Sequence, residues 1–352
     1  MQTDMHYYGT YCLARAAGVD KSFAQAIATA SEYVDDSDDF TKVLSDKSMI
    51  VAVATAHHPI NKANLNEVNQ REVWVPFHFI PGNEGVTYEE KLICRKNSNI
   101  AQEMVKHNLE QSLENESLGP ALIGITAHVY ADTFAHYGFS GIYSNENLVI
   151  SKSIKTKIAD HDLLQVVRAK YEDFIIKQVQ NPLSKNINLG HAGVGIYPDL
   201  PYLEWSFEYE YSGKSSGKRN NQETFLEACE MLYGLFEDYA TISGHQDPKA
   251  TKPFEEIREK VKSILSFEGE MKARAAKWKN AAKDGEIFNI AEEIPEYNPS
   301  EFEAELQKLE EFTSETIKST NIFGFLNAAR IHRNYVLDEL LPKYDLSVIS
   351  RM

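Results

Sequence analysis

Cysteine is scarce. Cys12, Cys94 and Cys229 are the only three in 352 residues. Odd in number and far apart, they argue against a disulfide framework or a thiolate zinc site and fit a reducing compartment. Basic charge is short as well: 36 Lys and Arg face 52 Asp and Glu, for a net charge of −16. That balance argues against a grip on duplex nucleic acid or an anionic membrane. A small anionic substrate would need a local positive centre, which a metal ion supplies. Long hydrophobic runs are missing too, so no transmembrane helix is expected. The opening "MQTDMHYYGTYCLARAAG" lacks the basic region and apolar run of a secretory signal. The expected location is therefore the cytoplasm, unless an unrecognised signal directs export. There is no internal repeat and no low-complexity tract.

What is present reads as a mainly α protein: a multi-helical single large domain with a short β-hairpin and added C-terminal helices. Helical patterns cover Tyr7–Ala17, Lys21–Val34, Asn99–Leu113, Leu118–Tyr137, Asp160–Val179 and Glu223–Ile242. "REVWVPFHFIPGNEG" has β-type composition and a turn signal, and is expected to form the strand or hairpin. Asn186–Trp205 is rich in Gly and Pro and reads as loop. From about Lys252 the chain changes to amphipathic, charged segments such as "FEEIREKVKSIL" and "FLNAARIHRNYVLDELL". Ten of the eleven histidines precede Lys252. The expected division is a metal-binding core over residues 1–245 and a helical extension over 246–352, packed on that core as scaffold or partner surface.

The chemistry is carried by "AHVYADTFAHYGF". Here His128, Asp132 and His136 stand four residues apart among core-like neighbours. Residues i and i+4 of a helix are offset by only about 40°, so the three form one row. His128 and Asp132 can reach one ion, and Asp132 and His136 another. The two histidines lie about 12 Å apart along the axis, too far to share one ion easily. The row therefore favours two metals bridged by Asp132. Left unpaired, each group would cost a few kcal/mol to bury. A His–Asp–His hydrogen-bond chain without metal is the competing explanation. Imidazole with carboxylate suits zinc, with iron or manganese as competitors.

Further candidates lie elsewhere. Asp4 and His6 could form a metal-binding arm, or Asp4 could cap the first helix while His6 packs. Asp35 and Asp36 sit at a helix C-terminus, where the dipole disfavours carboxylates and suggests a nearby cation. His57 and His58 follow an apolar run. His78 lies among large apolar residues, where packing is as good an explanation as ligation. His191, Asp199 and Glu204 share a loop whose glycines allow close backbone approach. His107, His161, His245 and His332 have polar neighbours and are read as surface residues. The adjacent pair His161-Asp162 is the only match to an HD-type phosphohydrolase signature, and it sits in a polar helix.

The order of these residues resembles the zinc-dependent phospholipase C and single-strand nuclease superfamily, mostly helical enzymes with a trinuclear zinc cluster. "DMHYYGTYCLARAAG", "PFHFIPG", "HVYADTFAHYGFSG" and "GHAGVGIYPDLPYLEW" look like a bacterial family without an assigned activity, which resembles that superfamily and covers most of residues 1–245. The resemblance implies metal ligation by His6, by Asp35 or Asp36, by His57 or His58, and by His128, Asp132, His136 and His191. The superfamily's N-terminal Trp, whose amine and carbonyl bind zinc, has no counterpart in a chain that begins at Met1, so Asp4 is expected to substitute. Gly195 stands where an acid is usual after His191, leaving Asp199 as the nearest carboxylate. Two ions are expected, or three. The implied activity is hydrolysis of a phosphodiester or phosphomonoester by a metal-activated water, with Asp35, Asp36 or Asp199 orienting that water. The substrate would be a small phosphate ester or phospholipid-like molecule. The alternative is a non-catalytic, metal-stabilised effector-type protein that meets partners through its C-terminal helices.

Overall fold

The computed structural model describes residues 1–57, 66–114, 118–180 and 188–347. Helix dominates. Isolated bridges apart, β structure among the described residues is confined to two small antiparallel sheets. One is the ribbon Thr41–Val43 with Met49–Val51; the other joins Lys155–Lys157, Glu204–Ser206 and Arg219–Asn220. Among the described residues no helix is long and apolar enough to cross a membrane.

The organising element is the central helix, Gly119–His136, buried without a break from Leu122 to His136. A helix apolar on all sides must be surrounded. Here the helices Lys21–Asp36, Asn99–Glu114, Asn221–Ser243 and Asn321–Asn334 enclose it. Its closest neighbour is the early helix Lys21–Asp36, started by an Asp20 side chain that accepts from Ser22 N–H. Contact between the two is intimate because of Gly124. A Cβ there would lie 2.4 Å from the Ile27 carbonyl oxygen and 2.7 Å from Ala30 Cβ.

One hydrophobic cluster runs from Met5 and Tyr11 through Ile125 and Phe236 to Trp278, Phe288, Phe325 and Leu341. The helices beyond residue 246 thus share their buried side with the N-terminal segment. A second cluster around Phe139, Val194, Tyr197, Trp205 and Phe207 lies with the three-stranded sheet.

Three expectations are corrected. "REVWVPFHFIPG" forms no strand. Up to His78 it continues a helical run over Glu67–Asn69, Gln70–Trp74 and Val75–His78, started by Asn66, whose side chain accepts from Val68 and Asn69 N–H. Pro76, which has no N–H to donate, follows a wide π-type turn over Gln70–Trp74. Packing against the central helix overrides the β propensity of its Val, Trp and Phe residues. Secondly, the Asn186–Trp205 stretch is not all loop: from 188 it holds short 3-10 turns at Ala192–Val194 and Tyr197–Asp199 and reaches a strand at Glu204. Thirdly, His332 is fully buried. Its Nδ1 lies 2.9 Å from Asn108 Nδ2 and its Nε2 2.8 Å from the Pro76 carbonyl.

Candidate metal centre

The His-Asp-His row faces one buried point, and other elements converge on it. Asp132, 1% exposed, is the hub. Its Oδ2 lies 3.2 Å from His78 Nδ1, 3.3 Å from His128 Nε2 and 3.4 Å from His136 Nδ1. Its Oδ1 lies 3.2 Å from His6 Nε2 and 2.6 Å from the α-amino nitrogen of Met1. A second group completes the far end: His136 Nε2 is 3.2 Å from Asp199 Oδ1, and His191 Nε2 is 3.9 Å from Asp199 Oδ2. Asp35 closes the near end, its Oδ1 3.9 Å from both His78 Nδ1 and His128 Nε2.

Backbone carbonyls orient four of the histidines. His128 Nδ1 is 2.7 Å from the Ser31 carbonyl, a contact that the close helix approach at Gly124 brings into range. His78 Nε2 is 2.9 Å from Thr55 O, His136 Nδ1 is 3.0 Å from His78 O, and His191 Nδ1 is 2.9 Å from Gly195 O. A ring nitrogen that donates to a carbonyl leaves the other with a free lone pair. In each case that second nitrogen faces Asp132 or Asp199. Metal-binding histidines are fixed in this way. Gly195 takes φ +56°, a left-handed conformation that suits glycine, in the turn that supplies the carbonyl for His191. The Asn221 amide donates to the carbonyls of Tyr197 and Leu200 and pins the Asp199 turn between them.

His6 differs. It is 1% exposed, it stacks on His128 with ring centroids 3.8 Å apart, and neither of its ring nitrogens has a hydrogen-bond partner. A buried, unsatisfied imidazole beside a carboxylate is costly unless something else engages it.

Electrostatics agree. Burial opposes ionisation of Asp132, but His136, the Met1 amine and His128 outweigh it and hold the carboxyl well below the usual range. Asp199 and Asp35 are likewise lowered against burial, the first mainly by the Met1 amine and the second mainly by His128. Burial lowers His6 to about 3 and His191 to about 4, so both are neutral at pH 7. Burial also opposes charge on the Met1 amine, yet Asp132, Asp199 and Asp35 raise it to about 11. Three carboxylates face one ammonium here, Asp132 and Asp199 at 2.6 and 3.4 Å from the Met1 amine and Asp35 beside His78 and His128, a balance that cations would improve. Neutral imidazoles and ionised carboxylates are the protonation states metal ligands require.

The donors sort into overlapping groups whose ligand atoms lie within 4.8 Å of one another: His6, Asp35 and His128; His78, His128 and Asp132; His136, His191 and Asp199. His128 has one nitrogen to give, its Nδ1 being engaged with Ser31, so the first two groups compete for it. The donor set fits divalent ions on its chemistry and on the buried His6 ring, whose nitrogens make no hydrogen bond.

The cluster forms part of the wall of a cavity of about 650 Å³. Much of the remaining wall is apolar, with Leu163, Val167, Phe174, Ile196, Leu200 and Met271. Glu32 lines it too. Burial and the neighbouring Asp35 raise its carboxyl well above the usual range, and its Oε2 has no partner.

Of the residues marked in the sequence, His6, Asp35, His128, Asp132, His136, His191 and Asp199 come together. Asp4 does not. It is buried in a two-pronged ion pair with Arg274, at 2.7 and 2.9 Å. Residues two apart in a helical turn point about 200° apart, so Asp4 and His6 face opposite sides. The place expected of Asp4 holds the Met1 amine instead. Asp36, one position beyond Asp35, turns outward and accepts from the Tyr297 hydroxyl. His57 lines the cavity but pairs with Asp38 at 2.8 Å, and with Asp38 and Asp39 forms a separate group. His58 lies outside the described residues. Sequence reading undervalued His78, because its apolar neighbours hid a helix end that delivers the ring to Asp132. It also missed the Met1 amine and Glu32; the spacing of Glu32 and Asp35, three apart on one helix, was the available signal.

The chain belongs to DUF6765, a family of unknown function, which matches residues 1–340. No curated protein and no solved structure matches it.

Proposed function

We propose that this protein is a metal-dependent hydrolase, zinc being the best match to its ligands, that cleaves a phosphate ester. The observation that carries this reading is the set of imidazole nitrogens turned onto Asp132 and Asp199, four of the rings fixed by backbone carbonyls, at the wall of a cavity of about 650 Å³. His6, Asp35, His78, His128 and Asp132 would hold ions at one end, and His136, His191 and Asp199 at the other; the resemblance to the phospholipase C and nuclease superfamily points the same way. Divalent ions bound there would supply Lewis-acid activation of water and neutralisation of phosphate charge.

The chain's own residues do the rest. Asp35, with a side chain 32% exposed, is the cluster carboxylate best placed to orient a water from the cavity. Burial and the neighbouring Asp35 raise the Glu32 carboxyl well above the usual range, the direction a general acid needs, and Glu32 lines the same cavity. The apolar wall excludes water and favours a phosphate ester with an apolar portion, as in a phospholipid-like molecule. A metal-stabilised effector would want its ions closed off by protein ligands; a cluster facing a cavity favours an enzyme.

Elemental analysis of protein purified without chelator, with a panel of phosphomonoesters and phosphodiesters, tests the proposal. Asp132→Asn is expected to lose metal and turnover together while its circular dichroism stays native. Full activity in that variant, or a wild type with no affinity for divalent ions, overturns it.

A further inference from the structure

The helix Met271–Lys283 contributes one residue to the neighbourhood of the cluster, Arg274, which is 2% exposed. It lines the same cavity. An arginine beside a candidate phosphate site suggests an anion clamp, but its donors are already committed. Nε and Nη2 donate to the two carboxylate oxygens of Asp4, Nη1 donates to the Gly269 carbonyl at 2.8 Å, and Nη2 also donates to Gln2 Oε1. Four of the five N–H groups of a guanidinium are thereby used. Two of its partners, Gln2 and Asp4, lie within the N-terminal arm from Met1 to His6, which delivers two groups to Asp132.

Thr3 donates to Glu32 Oε1 at 2.6 Å, which ties the arm to the early helix at one point. The backbone N–H groups of Met5 and His6 both return to the Gln2 carbonyl, so Gln2 sets the first turn. Gln2 and Asp4 are the arm's anchors, and Arg274 holds both. The same helix packs along the arm, with Trp278 at the position a Gly9 Cβ would meet at 3.4 Å.

We infer that Arg274, from the C-terminal helices, is a positioning residue for the metal centre: by clamping Gln2 and Asp4 it sets the Met1 amine and His6 against Asp132. This gives residues 246–352 a part in the site, and it rests on the reading of that site as a metal centre. Arg274→Lys keeps the charge but loses the fork that matches a carboxylate. The double variant Asp4→Asn/Arg274→Gln removes both charges and leaves neither buried alone. Zn²⁺ titration by calorimetry and the visible spectrum of the Co²⁺-loaded protein are to be compared with wild type, alongside thermal unfolding without metal. The expected result is a tenfold or greater loss of affinity for at least one ion, the usual scale for a residue behind a ligand. The Co²⁺ spectrum should change, with metal-free unfolding within a few degrees of wild type. Equal Zn²⁺ affinity in wild type and both variants overturns the positioning role alone. A wild type that binds no Zn²⁺ overturns the metal reading beneath it. If Arg274→Lys does not fold, the double variant decides; if neither folds, Arg274 is a folding residue and the inference fails.

Discussion

A buried imidazole is a liability below neutral pH, and His332 illustrates it away from the metal cluster. Asn108 Nδ2 can only donate, so His332 Nδ1 accepts from it and Nε2–H donates to the Pro76 carbonyl. That arrangement specifies the neutral ring. Burial lowers its pKa from 6.5 to about 4, against a smaller upward pull from Pro76 O. The unfolded chain therefore binds the proton first as pH falls. The stability His332 contributes is fully present above pH 6.5 and lost as pH falls through 4, with an upper limit of roughly 3 kcal/mol. His332→Gln keeps a donor and an acceptor but cannot titrate. It is expected to be less stable than wild type by about 1–2 kcal/mol at pH 7.5, with a gap that narrows as pH falls to 4.5. Urea unfolding of chelator-treated protein at several pH values measures this, and a gap independent of pH contradicts it. Polar neighbours in the sequence suggested a surface position for this residue because they belong to other faces of its helix. Only the packing of Asn321–Asn334 against the central helix turns His332 inward.

Secondary elements decide which of the marked residues meet. The His128, Asp132 and His136 row was legible because helical period alone aligns it. Other members were less legible, since their delivery depends on how elements end and cross: His78 closes a short helix that read as strand, and Asp199 returns to His191 through two 3-10 turns. The crossing that matters most is that of the early and central helices at Gly124. Alanine there would gain up to about 1 kcal/mol in helix propensity. Its Cβ, however, would meet the Ile27 carbonyl at 2.4 Å and Ser31 N at 2.9 Å, both backbone atoms that cannot swing aside. Overpacking of this kind costs about 1–3 kcal/mol, so the sign is destabilising. The helices must part, and the 2.7 Å contact between His128 Nδ1 and Ser31 O lengthens with them. Gly124→Ala should therefore lower the melting temperature and weaken Zn²⁺ binding by roughly 10–100-fold. Calorimetry reads both. A variant as stable as wild type with unchanged Zn²⁺ affinity would show that the contact at Gly124 does not set His128.

At the scale of the molecule, the candidate centre draws on segments far apart in the chain: the N-terminal arm, the early helix, the Gln70–His78 turns, the central helix and the His191–Asp199 turn. Bringing three carboxylates and a His6 ring without a hydrogen bond together around one ammonium opposes folding. Bound divalent ions would reverse that, because they engage the folded arrangement and find no such site in the unfolded chain. Ligand bound at a thousand times its dissociation constant adds about 4 kcal/mol. For a chain of this size that corresponds to a rise in melting temperature on the order of 5–10 °C. Removal of metal by chelator followed by dialysis is expected to lower the transition by that amount, and a small excess of Zn²⁺ to restore it. The transition should stay single, because one hydrophobic cluster joins Met5 and Tyr11 to Trp278, Phe325 and Leu341. Loss of metal would then weaken the N-terminal arm and the C-terminal helices together rather than release one of them. Differential scanning calorimetry of the stripped and reloaded protein measures this directly, and identical melting curves in the two states would mean that the cluster is satisfied by its own hydrogen bonds.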